Sequence, residues 1–449
     1  MFEIAYAAAS NRICFFTGTG FSKAVTDKKA PSWQGLLEEL IGLLPNAKET
    51  KAALFPEDGK NPLTLEESAQ VIAIELSSIG LNIHTETAKL IESVELSGEI
   101  APITEFMTKR SFRAVTTNYD KLLEKIANES DCHSIAPGLP IPRSISRAKI
   151  YHVHGSVDAP NNMVITSDDY FKFLYFSRKL STVLHENTVV ILGYSLGDTN
   201  LKAIISDYKG FSKNHVVSSN IFLISRSSVA QQVKDYYSHC YGIRVLDNKD
   251  VIEFFAELNQ QIPEAEKCVE SSVSNIKKVL FENHSYKKEF LGLSNSFYEI
   301  IASLGAAGLS INDKNVVEAI SKIIATKTEL THENNAWDQY VQLANWLIYI
   351  GSILDIKDTA LETEYLKAVK RSMETMRREL YIGYSWHAYK AWNRGWATLT
   401  PSNRSLGSLL KRAQVTKTRC PSYKNLCYNK LFKSDSQRVA SLLCVAFSV

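Results

Sequence analysis

Five short motifs hold the side chains in this chain that could do chemistry: Gly18-Thr-Gly-Phe-Ser22, Thr116-Thr-Asn-Tyr-Asp120, His152-Val-His-Gly155, Gly193-Tyr-Ser-Leu-Gly-Asp198 and Phe222-Leu-Ile-Ser-Arg226. Glycines at 18 and 20 let the backbone approach a diphosphate with no Cβ in the way, and the N–H groups of a helix start favour its negative charge. A dehydrogenase-type fingerprint would need a third glycine at position 23, where Lys23 stands. Asn118 offers a donor and an acceptor on one short side chain. Asp120 either stabilises a developing cation or caps a helix starting at Lys121, and the two roles can coexist. His152 and His154 are two residues apart and share a face if the strand continues through them. A near-neutral imidazole there suits proton removal from a hydroxyl or a water. Gly193 with Ser195 would bring backbone and hydroxyl to a ribose or phosphate, and Asp198 reads as a cap for the helix that follows.

These motifs need a scaffold, and the flanking residues predict one. Each follows an apolar run rich in branched or aromatic side chains: Arg12–Thr17, Phe112–Thr116, Lys149–Val153, Thr188–Leu192 and Asn220–Ile224. Runs of this kind are buried parallel strands. In an open α/β sheet the ligand crevice lies beyond the carboxyl ends of the strands, so motifs at five strand ends converge on one place. Between Ser32 and Lys109 the apolar spacing is helical, which predicts a helical insertion. Val251–Leu258 reads as an amphipathic helix that closes the domain before Pro263. Beyond Ile262 only helical periods remain, as in Asn315–Ile324 and Leu361–Lys370. The expected architecture is therefore a Rossmann-like α/β fold, a parallel sheet with helices on both faces, over residues 1–262. An all-α domain follows over 263–449.

With those residues in view, the chain resembles a sirtuin-type NAD-binding domain over roughly residues 1–262, of the divergent bacterial kind found in NAD-consuming anti-phage effectors. The resemblance implies that Gly18, Thr19, Gly20 and Ser22 hold the NAD diphosphate. Asn118 and Asp120, preceded by Thr117, would flank the nicotinamide ribose, and His154, just before Gly155, would be the catalytic base. Gly193, Ser195 and Ser225 would line the adenosine side, and His152 would be a core or supporting residue. Two departures stand out: Thr19 replaces the usual alanine, and the Asp-Phe-Arg of deacylating sirtuins is here Pro31-Ser-Trp33. The structural zinc of those deacylases needs two Cys-x-x-Cys pairs after the catalytic histidine, whereas residues 156–192 contain no cysteine. Four thiolates cannot be assembled there, so no metal is expected and water becomes the natural acceptor.

The reaction implied is hydrolysis of NAD, as substrate, to nicotinamide and ADP-ribose, with NAD depletion as an anti-phage effect. Protein deacylation, ADP-ribosyl transfer and a non-catalytic NAD or ADP-ribose sensor are the alternatives. The helical half would then control the enzyme, as a homo-oligomer or with a partner such as a DNA-translocating ATPase. At 449 residues with 45% apolar composition the chain can build two or more cores, and a net charge of +3 gives no whole-chain argument for nucleic acid or membrane. Nine lysines and arginines against one acid after Pro401 could mark a partner surface or a solvated face. The aromatics Trp386, Tyr389, Trp392 and Trp396 read as helical core, with base stacking the alternative. Seven scattered cysteines, a start without a basic leader and no apolar run of about 20 residues predict a soluble cytoplasmic protein.

Overall fold

The computed structural model describes residues 1–57, 59–142, 144–172, 183–194, 202, 205, 220–282, 284–310, 313–375 and 383–404. Seven parallel strands form one sheet in the order β3-β4-β2-β1-β5-β6-β7. They are β1 (Ile13–Thr17), β2 (Phe112–Thr116), β3 (Cys132–Ile135), β4 (Ala148–His152), β5 (Thr188–Leu192), β6 (Ile221–Ile224) and β7 (Ile243–Leu246). Five of them are the expected runs. The two edge strands β3 and β7 are additions: Cys132-His-Ser-Ile and Ile243-Arg-Val-Leu are short and only partly buried, so they lack the continuous apolar run of a central strand. β1 is buried at every residue and lies between β2 and β5, in register Phe15 to Ala114 and Phe15 to Val190. The strand order reverses around β1, which puts the switch point of the sheet at the glycine turn that follows it.

Helices cover both faces. α1 (Phe2–Ala9) and α2 (Thr19–Val25) flank β1 in sequence. Phe15 packs against Phe106 of α7 (Ala101–Lys109) and Phe255 of the long helix Val251–Phe281, with ring centroids 5.3 and 5.1 Å apart. The insertion is helical as expected, in α3 (Trp33–Ile41), α4 (Ala47–Leu54), α5 (Leu65–Ser78), α6 (Ile83–Glu92) and α7. Local chemistry starts these helices: Ser32 accepts from Gly35 N at 3.1 Å, Asn82 accepts from Thr85 N at 3.1 Å, and Thr64 and Glu67 form a reciprocal capping box. The insertion closes a core of Leu37, Leu40, Ile72 and Leu76 onto Tyr119, Val157, Met163 and Ile165, which belong to the loops after β2 and β4. It thus covers the carboxyl ends of those strands.

After β2 come α8 (Leu122–Ala127) and, beyond β4, α9 (Ser167–Lys172); α10 (Gln231–Tyr241) joins β6 to β7. The next helix, α11 (Val251–Phe281), corrects the expectation that Pro263 ends it: the proline lies inside an unbroken helix. Proline removes one N–H and crowds the preceding turn, but burial of Phe254, Phe255, Leu258, Ile262 and Ala265 along one stripe favours continuation.

The chain folds into two compact units: the first holds residues up to Lys267 other than 211–219 and 231–238, and the second holds those two stretches and the residues from Cys268 on. In the second unit, the described elements after α11 are all helical. Its core joins Phe297, stacked on Trp346 at 4.7 Å, with Tyr340, Tyr365 and Val369. Trp392 and Trp396 belong to that core and Trp392 Nε1 donates to Ser372 Oγ at 3.0 Å, whereas Trp386 and Tyr389 stack on each other half-buried. Among the described residues no helix is long and apolar enough to cross a membrane. The basic segment, with Cys420 and Cys427, falls almost wholly outside the described residues.

Candidate active site

The turn after β1 and the turn after β5 touch. Gly20 N donates to Gly193 O at 2.8 Å, and Gly18 N donates to Leu192 O at 3.2 Å. A Cβ on Gly20 would stand 2.7 Å from Gly193 Cα, one on Gly18 would stand 2.5 Å from Tyr194 Cδ2, and one on Gly193, at φ +60°, would overlap Phe21 N. The glycines are therefore required first by the close approach of the two loops, a reason invisible in the turn itself. The same bare backbone is the kind of cradle a diphosphate needs. Thr19 opens α2 and is exposed. Ser195 and Asp198 lie outside the described residues.

The loop after β2 carries the densest polar network. Asn118 is 8% exposed, and its Nδ2 donates to Ser22 Oγ at 2.7 Å. Ser22 Oγ in turn donates to Asp120 Oδ2 at 2.7 Å, and Asp120 Oδ1 accepts from Leu122 N at 3.1 Å. Asp120 so does two things at once. It holds Ser22, and it satisfies a backbone donor at the start of α8, which begins at Leu122, one residue later than expected. Burial pushes the Asp120 carboxyl above the usual range, against the pull of Ser22 and the Leu122 N–H. Thr117 N donates to Thr17 O at 3.3 Å, which fastens this loop to the end of β1.

β4 ends at His152, so His152 and His154 do not share a strand face. His154 follows in a turn closed by Gly155, whose φ of +90° and whose fit 2.7 Å from Asn162 O leave no room for a Cβ. The turn is sewn to its neighbours: Val153 N donates to Thr116 O at 2.9 Å and Val164 N to His154 O at 2.8 Å. His154 is 7% exposed and sets its ring edge-on to Tyr170 at 5.4 Å. His152 is fully buried, with Nδ1 3.0 Å from Asn118 O and Nε2 2.7 Å from Glu124 Oε1. Burial alone would push Glu124 up, but the His152 charge and hydrogen bond, with Lys121, hold it at about 2. Burial likewise opposes the charge on His152, and Glu124 more than offsets it, so the imidazole is raised.

Glu124 and Lys121 border the candidate residues, and the motifs did not single them out. Lys121 Nζ lies 3.3 Å from Glu124 Oε1, 2.5 Å from Asp158 Oδ2 and 2.8 Å from Ser134 Oγ. A cavity of about 360 Å³ borders them, lined in part by Asp120, Lys121, Glu124, Cys132 and Asp158. Helical spacing from Asp120 to Glu124 was the only sequence signal for this group. Ser225, by contrast, turns to its own loop and donates to Ser227 O at 2.8 Å. Trp33, in the segment that departs from deacylating sirtuins, packs its ring 6.2 Å from that of Tyr119. Among the described residues no group of three or more His, Cys, Asp or Glu could hold a metal ion.

A parallel sheet with a glycine turn at its switch point, and with Asn, Asp and His at the ends of adjacent strands, is a sirtuin-like arrangement. Residues 113–246 match the SIR2-like domain family. Among known proteins it is similar to the NAD(+) hydrolase ThsA of Acinetobacter baumannii, 33% identical over 129 residues that make up 27% of each chain. It is also similar to ThsA of Bacillus cereus, 33% identical over 99 residues, 20% of this chain and 21% of the relative. A third relative is Defense-associated sirtuin 2 of Bacillus subtilis, 21% identical over 264 residues, 56% of this chain and 24% of the relative. The chain thus spans about a quarter of the length of these relatives.

Proposed function

We propose that the SIR2-like domain hydrolyses NAD to nicotinamide and ADP-ribose. The observation that carries this reading is the run of hydrogen bonds from Asn118 through Ser22 to Asp120. It ties α2, the helix after β1, to the loop after β2, while the His154 turn is fastened to Thr116. The relatives named as NAD(+) hydrolases support the same substrate.

Cleavage of the nicotinamide–ribose bond builds positive charge on the ribose, and the leaving group departs neutral without needing a proton. The protein has to orient the sugar, supply a base and keep competing nucleophiles out. In this reading Gly18, Thr19, Gly20 and Ser22 take the diphosphate side. Asn118 has a second amide proton and a carbonyl oxygen with which to position ribose or water. His154 is the base. Asp120, already bound by Ser22 and Leu122 N, shapes the loop and adds negative potential. Thr117 positions Asn118, and Gly193, Ser195 and Ser225 take the adenosine side.

The biological setting we infer is a cytoplasmic effector that depletes NAD during phage infection. Such an enzyme must be restrained before infection, and the helical unit supplies that control through self-association or a protein partner. The test is nicotinamide release by the pure full-length chain, alone and with candidate partners, with and without a strong chelator. Turnover should survive chelation. His154→Ala and Asn118→Ala should each lower it by about 10²- to 10⁴-fold with the fold retained. Binding of NAD with no turnover under any condition would favour a sensor instead.

A further inference from the structure

His152 is a fully buried histidine whose two ring nitrogens both face atoms that can only accept: the Asn118 carbonyl at 3.0 Å and the Glu124 carboxylate at 2.7 Å. A neutral imidazole has a single N–H and can satisfy one of them; an imidazolium satisfies both. The pairing therefore demands a charged ring locked between α8 and the backbone of Asn118. We propose that His152 and Glu124 form a positioning pair that fixes the Asn118 loop for reaction, and that the pair works only while His152 carries both protons. The proposal rests on the reading that the domain cleaves NAD.

The chain of contacts is short. Glu124 is 1% exposed, and the Oε1 that meets His152 also lies 3.3 Å from Lys121 Nζ, which reaches Asp158 and Ser134 as well. His152 holds the Asn118 carbonyl, and the Asn118 side chain then reaches Ser22 and through it Asp120. Releasing the carbonyl would let the amide swing, and small misplacements of a positioned group cost up to about 100-fold in rate. The charged groups facing the pair are Lys121 and Asp120 near α8; Asp158, after β4, pairs with Lys121, and the Cys132 thiol on β3 is kept neutral by burial, which pushes it up to about 11. Of these, Lys121 opposes the charge on His152, and Glu124 outweighs it. The protonated pair should then be the resting state at neutral pH, and activity should fall on the alkaline side as the ring loses its second proton.

Full-length protein labelled with 15N-histidine tests this together with nicotinamide-release kinetics across pH. In the parent, both His152 nitrogens should read as protonated at neutral pH, and kcat should show an alkaline limb. Glu124→Gln supplies an amide N–H to Nε2, so a neutral ring can still hold Asn118. This variant should keep most of its kcat but lose the alkaline limb, with one His152 nitrogen unprotonated. His152→Gln should lower kcat by about 10- to 100-fold, with KM for NAD changed by no more than a few-fold. A singly protonated His152 in the parent, or folded His152→Gln and Glu124→Gln proteins with the parent's kcat and pH profile, would overturn the proposal alone. A parent that releases no nicotinamide would overturn the NAD-cleavage reading beneath it.

Discussion

Gly193 shows how a single position can serve a site through packing alone. Its φ of +60° is unfavourable for any residue with a Cβ, and the added carbon would overlap Phe21 N in the facing turn. Gly193→Ala should therefore separate the two turns and destabilise the fold by about 1–3 kcal/mol, with weaker NAD binding, as read by thermal melting and ligand titration. Thr19→Ala, at an exposed position, is the control and should leave melting unchanged. Parent-like melting and binding in Gly193→Ala would show that the loop contact is dispensable. A glycine-rich turn was visible in the sequence, but the reason for each glycine was not, because the crowding atoms lie about 175 residues away across the β1/β5 contact.

Among the elements, the helical insertion is anchored over the strand ends by Asp169 of α9. Its Oδ2 accepts from Thr166 N at 2.9 Å and Ile165 N at 3.1 Å and lies 3.0 Å from His84 Nε2 of α6. Burial would raise this carboxyl, but His84 and these backbone donors outweigh it and hold it well below the usual carboxylate range. A depressed carboxylate adds stability that is fully present above its unfolded pKa, near 4, and is lost as pH falls below that value. Asp169→Asn should cost about 1–3 kcal/mol at pH 7, and the gap between parent and variant should narrow steadily as melting is followed from pH 5 down to pH 2. A gap as large at pH 2 as at pH 5 would assign the loss to shape instead of charge. The insertion itself was legible from its helical period and its caps. The Asp169 anchor was not, since Asp168-Asp169 reads as an ordinary acidic helix start until His84 is brought alongside.

At the scale of the whole molecule, α11 decides where the chain can be cut. Ala265 is buried and Glu266 pairs with Arg110, so a chain ending at 262 loses contacts within the first unit, while one ending at 281 keeps them. We expect residues 1–281 to melt cooperatively and bind NAD, and residues 1–262 to melt several degrees lower. Neither should reproduce the full chain's mass in light scattering, if control and assembly reside in the helical unit. A 1–281 chain with the full chain's mass behaviour and regulated turnover would remove the helical unit from that role.

The apolar runs of β1, β2, β4, β5 and β6 were unmistakable because strands buried on both faces must be apolar throughout, and the motifs after them inherit their places from that fact. The class of architecture and the identity of Asn118, Asp120 and His154 as candidates were thus available from local pattern and resemblance. Partnership was not. That Pro263 is tolerated depends on the buried stripe from Phe254 to Ala265 on both sides of it. That His152 and His154 part company depends on where β4 stops pairing with β2. That His152 must carry a charge depends on Glu124 arriving from another element at 2.7 Å. Sequence spacing encodes the period of an element, which is a local property of the backbone. Which charged group meets which across elements is decided only when packing brings residues distant in the chain into a medium too poorly solvated to leave them unpaired.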